Sequence, residues 1–176
     1  MIDLPFIDCV ERTEFSDECY GAFGRALYVA QHFEANCRGL VAILKLKAET
    51  EEVDLLNDKE FIKSVNKIWK HTFGKNLKVL ETYRLAKEML LLLDKARKSR
   101  NKIAHEMTLG IEHEIEEYEG RKKILQSIAS AVRDIATGDG ITGFFLQYIT
   151  KEPLPSVSYL SDYPENVVKW VCETFY

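Results

Sequence analysis

Arg100, Asn101 and His105 are the residues whose types and spacing suit work on a phosphodiester. Arginine is a permanent cation that takes a phosphate through two parallel hydrogen bonds, and imidazole moves protons near neutral pH. Asn101 and His105 lie four apart, so on a helix they share a face and the amide can orient the ring. Arg100 and His105 lie five apart, and on a continuous helix of ~3.6 residues per turn they diverge by about 140°. Two arrangements would bring them to one ligand: an irregular helix start at Arg100, or two copies of the chain meeting across a two-fold axis. Lys95, Arg97, Lys98 and Lys102 crowd the same segment, and Glu106, Glu112, Glu114, Glu116, Glu117 and Glu119 follow it. A basic site on an acidic chain still attracts phosphate, because the local field decides.

The elements that position these residues read as helices. The chain has 176 residues, 46% hydrophobic and 30% charged, with a net charge of −4. That length suits one domain, residues 1–176, burying roughly 70% of its unfolded surface. The composition excludes disorder and collagen-like repeats. No apolar run reaches the ~18–20 residues of a membrane span, and the N-terminus lacks a signal pattern, so a cytoplasmic protein is expected.

Ser16-Asp17-Glu18 offers a cap, followed by a stripe through Tyr20, Phe23, Leu27, Ala30, Phe33, Cys37 and Leu44 to about Ala48. Gly24 and Gly39 within it are candidate sites of close helix approach. A second helix is expected from Asp58, with Phe61, Ile62, Val65, Ile68 and Trp69 inward, and Phe73-Gly74-Lys75-Asn76 reads as its stop. A third runs from Leu77 toward Ala96, with a bend or restart across Lys95–Lys102. A fourth spans about Ile115–Ile135 and is ended by Thr137-Gly138-Asp139-Gly140; Ile141–Ile149 reads as a short helix or a strand. Pro153 and Pro155 mark a loop, and Asp162-Tyr163-Pro164 opens a last helix with Val167, Trp170, Val171 and Phe175 inward. Residues 151–176 are thus a loop and helix packing on the bundle. The fold class is all-α, an up-and-down helical bundle with additional short helices.

Other reactive side chains read as structural. The four cysteines, Cys9, Cys19, Cys37 and Cys172, form no C-x-x-C pair and read as reduced thiols, Cys37 in the core. His32 and His71 have no acidic partner at ligand spacing, and His113 sits in a solvated acidic stretch. No metal site and no cofactor is expected. Glu34, an acid on the apolar first helix, is a further candidate for the site.

Arg100-Asn101-x-x-x-His105, within the run R-N-K-I-A-H-E, resembles the hallmark of the HEPN family (higher eukaryotes and prokaryotes nucleotide-binding domain). That hallmark is an arginine, a polar residue, and a histidine after four to six intervening positions. The motif covers six residues, and the helical layout of about two-thirds of the chain is compatible with it. The resemblance implies a metal-independent endoribonuclease, acting as a homodimer with the two motifs facing each other, in a toxin–antitoxin or phage-defence setting. His105 would then assist attack of the ribose 2′-OH or protonate the leaving oxygen, and Arg100 would stabilise the phosphorane-like transition state. Asn101 would position His105 or the phosphate, and Lys98 and Lys102 would hold the RNA backbone. The expected product carries a 2′,3′-cyclic phosphate. Met107 stands where a subgroup carries the tyrosine to which its antitoxin attaches nucleotides, which argues against that neutralisation. The competing readings are a non-catalytic nucleotide- or RNA-binding or dimeric scaffold protein of this fold, and an unrelated helical adaptor.

Overall fold

A computed structural model describes residues 13–49, 58–83, 85–108 and 112–173. Among these residues there are seven helices and no strand: α1 Glu14–Glu49, α2 Asp58–Trp69, α3 Phe73–Glu81, α4 Lys87–His105, α5 Glu112–Glu116, α6 Tyr118–Thr150 and α7 Val157–Cys172. The chain is an all-α bundle. Helix α6 is its axis, with α1, α4, α5 and α7 packed on it. No helix of the described residues is long and apolar enough to cross a membrane.

Helix α1 starts one turn before the expected cap. The Thr13 amide donates to Ser16 Oγ at 2.8 Å and the Ser16 amide to Thr13 Oγ1 at 3.1 Å, a reciprocal capping box. Its buried stripe runs through Cys19, Ala22, Phe23, Ala26, Ala30, Phe33 and Cys37, whereas Tyr20 and Leu27 are exposed. The alanines at 22, 26 and 30 take inward positions of the stripe, and Leu27 beside Ala26 faces solvent. Ile62 and Trp69 of α2 are likewise exposed, and Ile68 carries its burial. The side chains of Phe61 and Val65 lie outside the described residues, as do Cys9 and Phe175.

Glycine misleads the sequence reading three times. Phe73-Gly74-Lys75-Asn76 is the first turn of α3 rather than a stop; the break lies at residues 70–72, and a second at residues 82–86 divides the expected third helix. Buried Phe73 explains the early start, since its ring packs edge-on against Phe33 at 5.2 Å. Gly138 and Gly140 do not end α6, which continues through Ile141–Ile149 to Thr150. Within it the Thr142 hydroxyl donates to the Asp139 carbonyl at 3.0 Å. The close approach also falls elsewhere than expected: Gly24 faces open space, and a Cβ at Gly39 would make only ordinary contact with Leu146.

Gly138 is where three helices converge. A Cβ there would come within 2.6 Å of Ala96 Cβ on α4 and 2.9 Å of Phe33 Cζ on α1. Gly138→Ala is expected to destabilise by about 1–3 kcal/mol despite alanine's helix propensity, lowering Tm by roughly 2–12 °C. A Tm equal to or above wild type in a thermal melt would contradict this packing.

Helix α7 opens at Val157, five residues before the expected start. Ser156 caps it, its Oγ accepting from the Tyr159 amide at 3.1 Å, and Pro164 lies inside the helix. Val168 and Val171 are buried, while Trp170 stays half-exposed. The helix is fastened by Arg25 Nε donating to the Val171 carbonyl at 2.8 Å and by the Arg133–Glu165 ion pair.

Candidate functional site

Helix α4 is continuous from Lys87 to His105, with no restart and no irregular start at Arg100. Its charged run does not break it, because a core-facing position recurs every three or four residues: Leu93, Ala96, Arg100, Ile103, then Met107 just beyond its end. Arg100 therefore occupies an inward position of the apolar stripe. Lys95, Lys98, Lys102 and His105 repeat at the same spacing on the outward face and are exposed. About 7.5 Å of helix rise and 140° of rotation separate Arg100 from His105. Within one protomer the two side chains do not converge.

The inward direction gives Arg100 a partner that sequence spacing does not reveal. Its guanidinium forms an ion pair with Glu34 of α1 and donates to Asn101 Oδ1 at 3.2 Å. Glu34 is only 8% exposed and also pairs with Arg38, one turn along α1, at 2.5 Å. Two cations thus share one carboxylate, leaving the trio a net positive charge. Arg38 Nε is buried without a hydrogen-bond partner among the described residues, and the Arg38 guanidinium lies 5.3 Å from the centre of the half-exposed Trp69 ring. Arg38 Nε thus keeps a donor that Glu34 does not engage, in surroundings where charges interact more strongly than in water. Arg38 is the residue that sequence reasoning missed, and its signal was the Glu34–Arg38 spacing of four.

The structure thus brings together Arg100, Asn101 and Glu34, and leaves His105, Lys98 and Lys102 on the outward side. The Asn101 amide bonds to Arg100 rather than to His105. His105 is exposed at the C-terminus of α4, with no hydrogen bond or ion pair among the described residues. Lys98 pairs with Asp94 at 2.8 Å, and Lys102 donates to Ser127 Oγ of α6 at 3.4 Å. The basic run is partly neutralised: Lys95 pairs with Asp134, and Arg97 with Asp94. Hydrogen bonds from Lys98 and Arg97 hold the Asp94 carboxyl below the usual carboxylate range. These surface pairs are weak and exchangeable, so Lys95 and Lys98 remain open to a competing phosphate.

Met107 is buried at the end of the α4 stripe, and so belongs to the core. The thiols of Cys19, Cys37 and Cys172 are free, and burial raises the pKa of each. No cluster of three or more metal-ligating side chains occurs among the described residues.

A second polar cluster lies outside the motif. Asp139 lies inside α6 rather than at a helix stop and is 5% exposed. Its Oδ2 accepts from the Tyr163 hydroxyl at 2.7 Å, and its Oδ1 from Asn36 Nδ2 at 2.8 Å, with His32 Nδ1 at 3.3 Å. His32 therefore has an acidic partner after all, 107 residues away in the sequence. Burial first, then the bond to Asp139, pushes the Tyr163 phenol above its ordinary value near 10. The neutral phenol is favoured in the folded state, so its contribution is intact below pH ~10 and is lost as pH rises through the folded value. Tyr163→Phe is expected to cost about 1 kcal/mol at pH 7 through the lost hydrogen bond. Its deficit against wild type should shrink as denaturation is followed above pH ~10; a constant deficit would contradict the assignment.

No family model, no curated protein and no solved structure matches the chain.

Proposed function

We propose that the protein is a metal-independent endoribonuclease whose active site is completed across a homodimer. The observation that carries this reading is the division of labour on α4. Arg100 is held inward beside Arg38 over a single shared carboxylate, and His105 stands exposed at the end of a basic outward face. In the reaction, one imidazole takes the 2′-OH proton while the 2′-oxygen attacks the adjacent phosphorus. The bond to the 5′-oxygen breaks, that oxygen receives a proton, and a 2′,3′-cyclic phosphate and a 5′-hydroxyl remain. Arg100 stabilises the charge gathering on the phosphorus oxygens, Asn101 and Glu34 fix its guanidinium, and Lys98 and Lys102 hold the strand. Because Arg100 and His105 diverge on one continuous helix, a second copy supplies the missing partner. A cytoplasmic toxin or phage-defence role, restrained by a cognate antitoxin or defence-system partner, fits an activity of this kind and the resemblance of the motif.

The composite site has a direct test. If each site takes Arg100 from one protomer and His105 from the other, mixing inactive Arg100→Ala and His105→Ala chains restores about a quarter of wild-type cleavage, since half the dimers are hybrid and half their sites are whole. No restoration after verified subunit exchange would contradict it.

One observation favours the second reading, a non-catalytic RNA-binding or scaffold protein. The Arg100 guanidinium is engaged by Glu34 and mostly shielded, as in a structural ion pair. That reading predicts salt-dependent RNA binding with no cleavage by any variant.

A further inference from the structure

The Asp139 cluster forms the floor of a cleft of about 390 Å³ between α1 and α7, on a different part of the bundle from Arg100. That volume is in the range of small-molecule sites. Aromatic side chains stand at both ends. Tyr28 and Trp170 meet at 6.2 Å with their planes tilted by 57°, and Tyr159 and Tyr163 stack at 5.9 Å. Tyr28, Tyr159 and Trp170 are 63%, 56% and 45% exposed, which leaves ring surface uncovered. Seven residues of α7 separate Tyr163 from Trp170, about 10 Å of helix. Uncovered aromatic faces above a buried hydrogen-bond network are features of a binding site rather than of a solvated surface.

The polar groups narrow the occupant. His32 Nδ1 lies 3.3 Å from both Asp139 Oδ1 and Asn36 Nδ2, so that edge of the ring is taken up by the network. Nε2 is the polar atom left to a ligand on a half-exposed ring lining the cleft, with the Asn166 amide nearby as donor and acceptor. Asp139 already receives donors on both oxygens and is almost wholly covered, so it offers little to a cation. Among the described residues no lysine or arginine lines the cleft, which disfavours a phosphate.

We infer that the cleft binds a neutral, planar nitrogen heterocycle of the nucleobase type, stacked on Trp170 and hydrogen-bonded by His32 and Asn166. Free nucleosides and unpaired bases of a single strand share this chemistry. The inference is independent of cleavage at Arg100 and His105, because its readout is binding.

Isothermal titration of the full chain tests it with three probes: adenosine, a single-stranded tetranucleotide of adenosine, and choline chloride. Adenosine or the tetranucleotide should bind, and Trp170→Ala and His32→Ala should each weaken binding about tenfold, as loss of one stacking or hydrogen-bonding partner does. Binding of the tetranucleotide alone identifies the source as a strand, and binding of adenosine as well identifies a free base as sufficient. Both replaced side chains are about half exposed, and an unchanged circular dichroism spectrum would confirm folding. Choline binding in place of adenosine, binding insensitive to both substitutions, or no binding of adenosine or the tetranucleotide at about 5 mM would overturn the inference.

Discussion

His105→Ala should reduce RNA cleavage by about 100- to 10,000-fold, the usual worth of a positioned general acid or base. Its Tm should stay within about two degrees of wild type, because an exposed side chain away from structural features changes stability little. The combination matters more than the loss of activity. His105 ends α4, points outward and holds no partner among the described residues, so nothing in the fold depends on its ring. Arg100→Ala should remove cleavage too, but with a loss of stability, since Arg100 fills an inward position and pairs with Glu34. Cleavage assays alongside thermal melts of the two variants therefore separate a group that performs chemistry from one that also holds helices together. A His105→Ala chain that cleaves like wild type would remove His105 from the mechanism.

Glu34→Ala should give the largest stability change of any single substitution at the site. The carboxylate is almost fully buried between Arg38 and Arg100, and its removal leaves two guanidinium groups facing each other. Breaking a buried ion pair costs ~3–5 kcal/mol, and residual hydration of the arginines lowers this to about 2–4 kcal/mol. The arginine side chains keep 22% and 19% of their exposure, enough for solvent to reach them in part. In a chain of 176 residues that loss lowers Tm by roughly 5–15 °C. Added salt should recover part of it, because the remaining repulsion between like charges is screened. Urea denaturation of wild type and Glu34→Ala at low and high salt checks both the size and the sign. A loss under about 0.5 kcal/mol would mean that the trio is an ordinary surface network.

The helical class of the fold was legible because three- and four-residue apolar spacing runs through nearly every segment. The boundaries were less legible, and the errors share a cause. Gly74, Gly138 and Gly140 sit inside helices because tertiary packing overrides their propensity: Phe73 packs on Phe33, and Gly138 admits α1 and α4. The Lys95–Lys102 run read as a break because charge was weighed above period. Leu93, Ala96, Arg100 and Ile103 show that the stripe continues, with arginine as one of its members.

At the site, the motif marked Arg100, Asn101 and His105, and the acid on α1 marked Glu34. The divergence of Arg100 and His105 followed from helix geometry alone. The sharing of Glu34 with Arg38 did not, because it depends on how α1 lies against α4. The His32–Asp139 pairing was hidden for the same reason: 107 residues separate partners that only the packing of α1 on α6 brings together.

Mixed RNA would be incubated, in the presence of EDTA, with wild type, Arg100→Ala and His105→Ala, and the new ends identified. Wild type is expected to leave 2′,3′-cyclic phosphates and 5′-hydroxyls, and neither variant to cleave. Cleavage unchanged in the variants, or no cleavage by a folded wild-type dimer, would contradict that expectation.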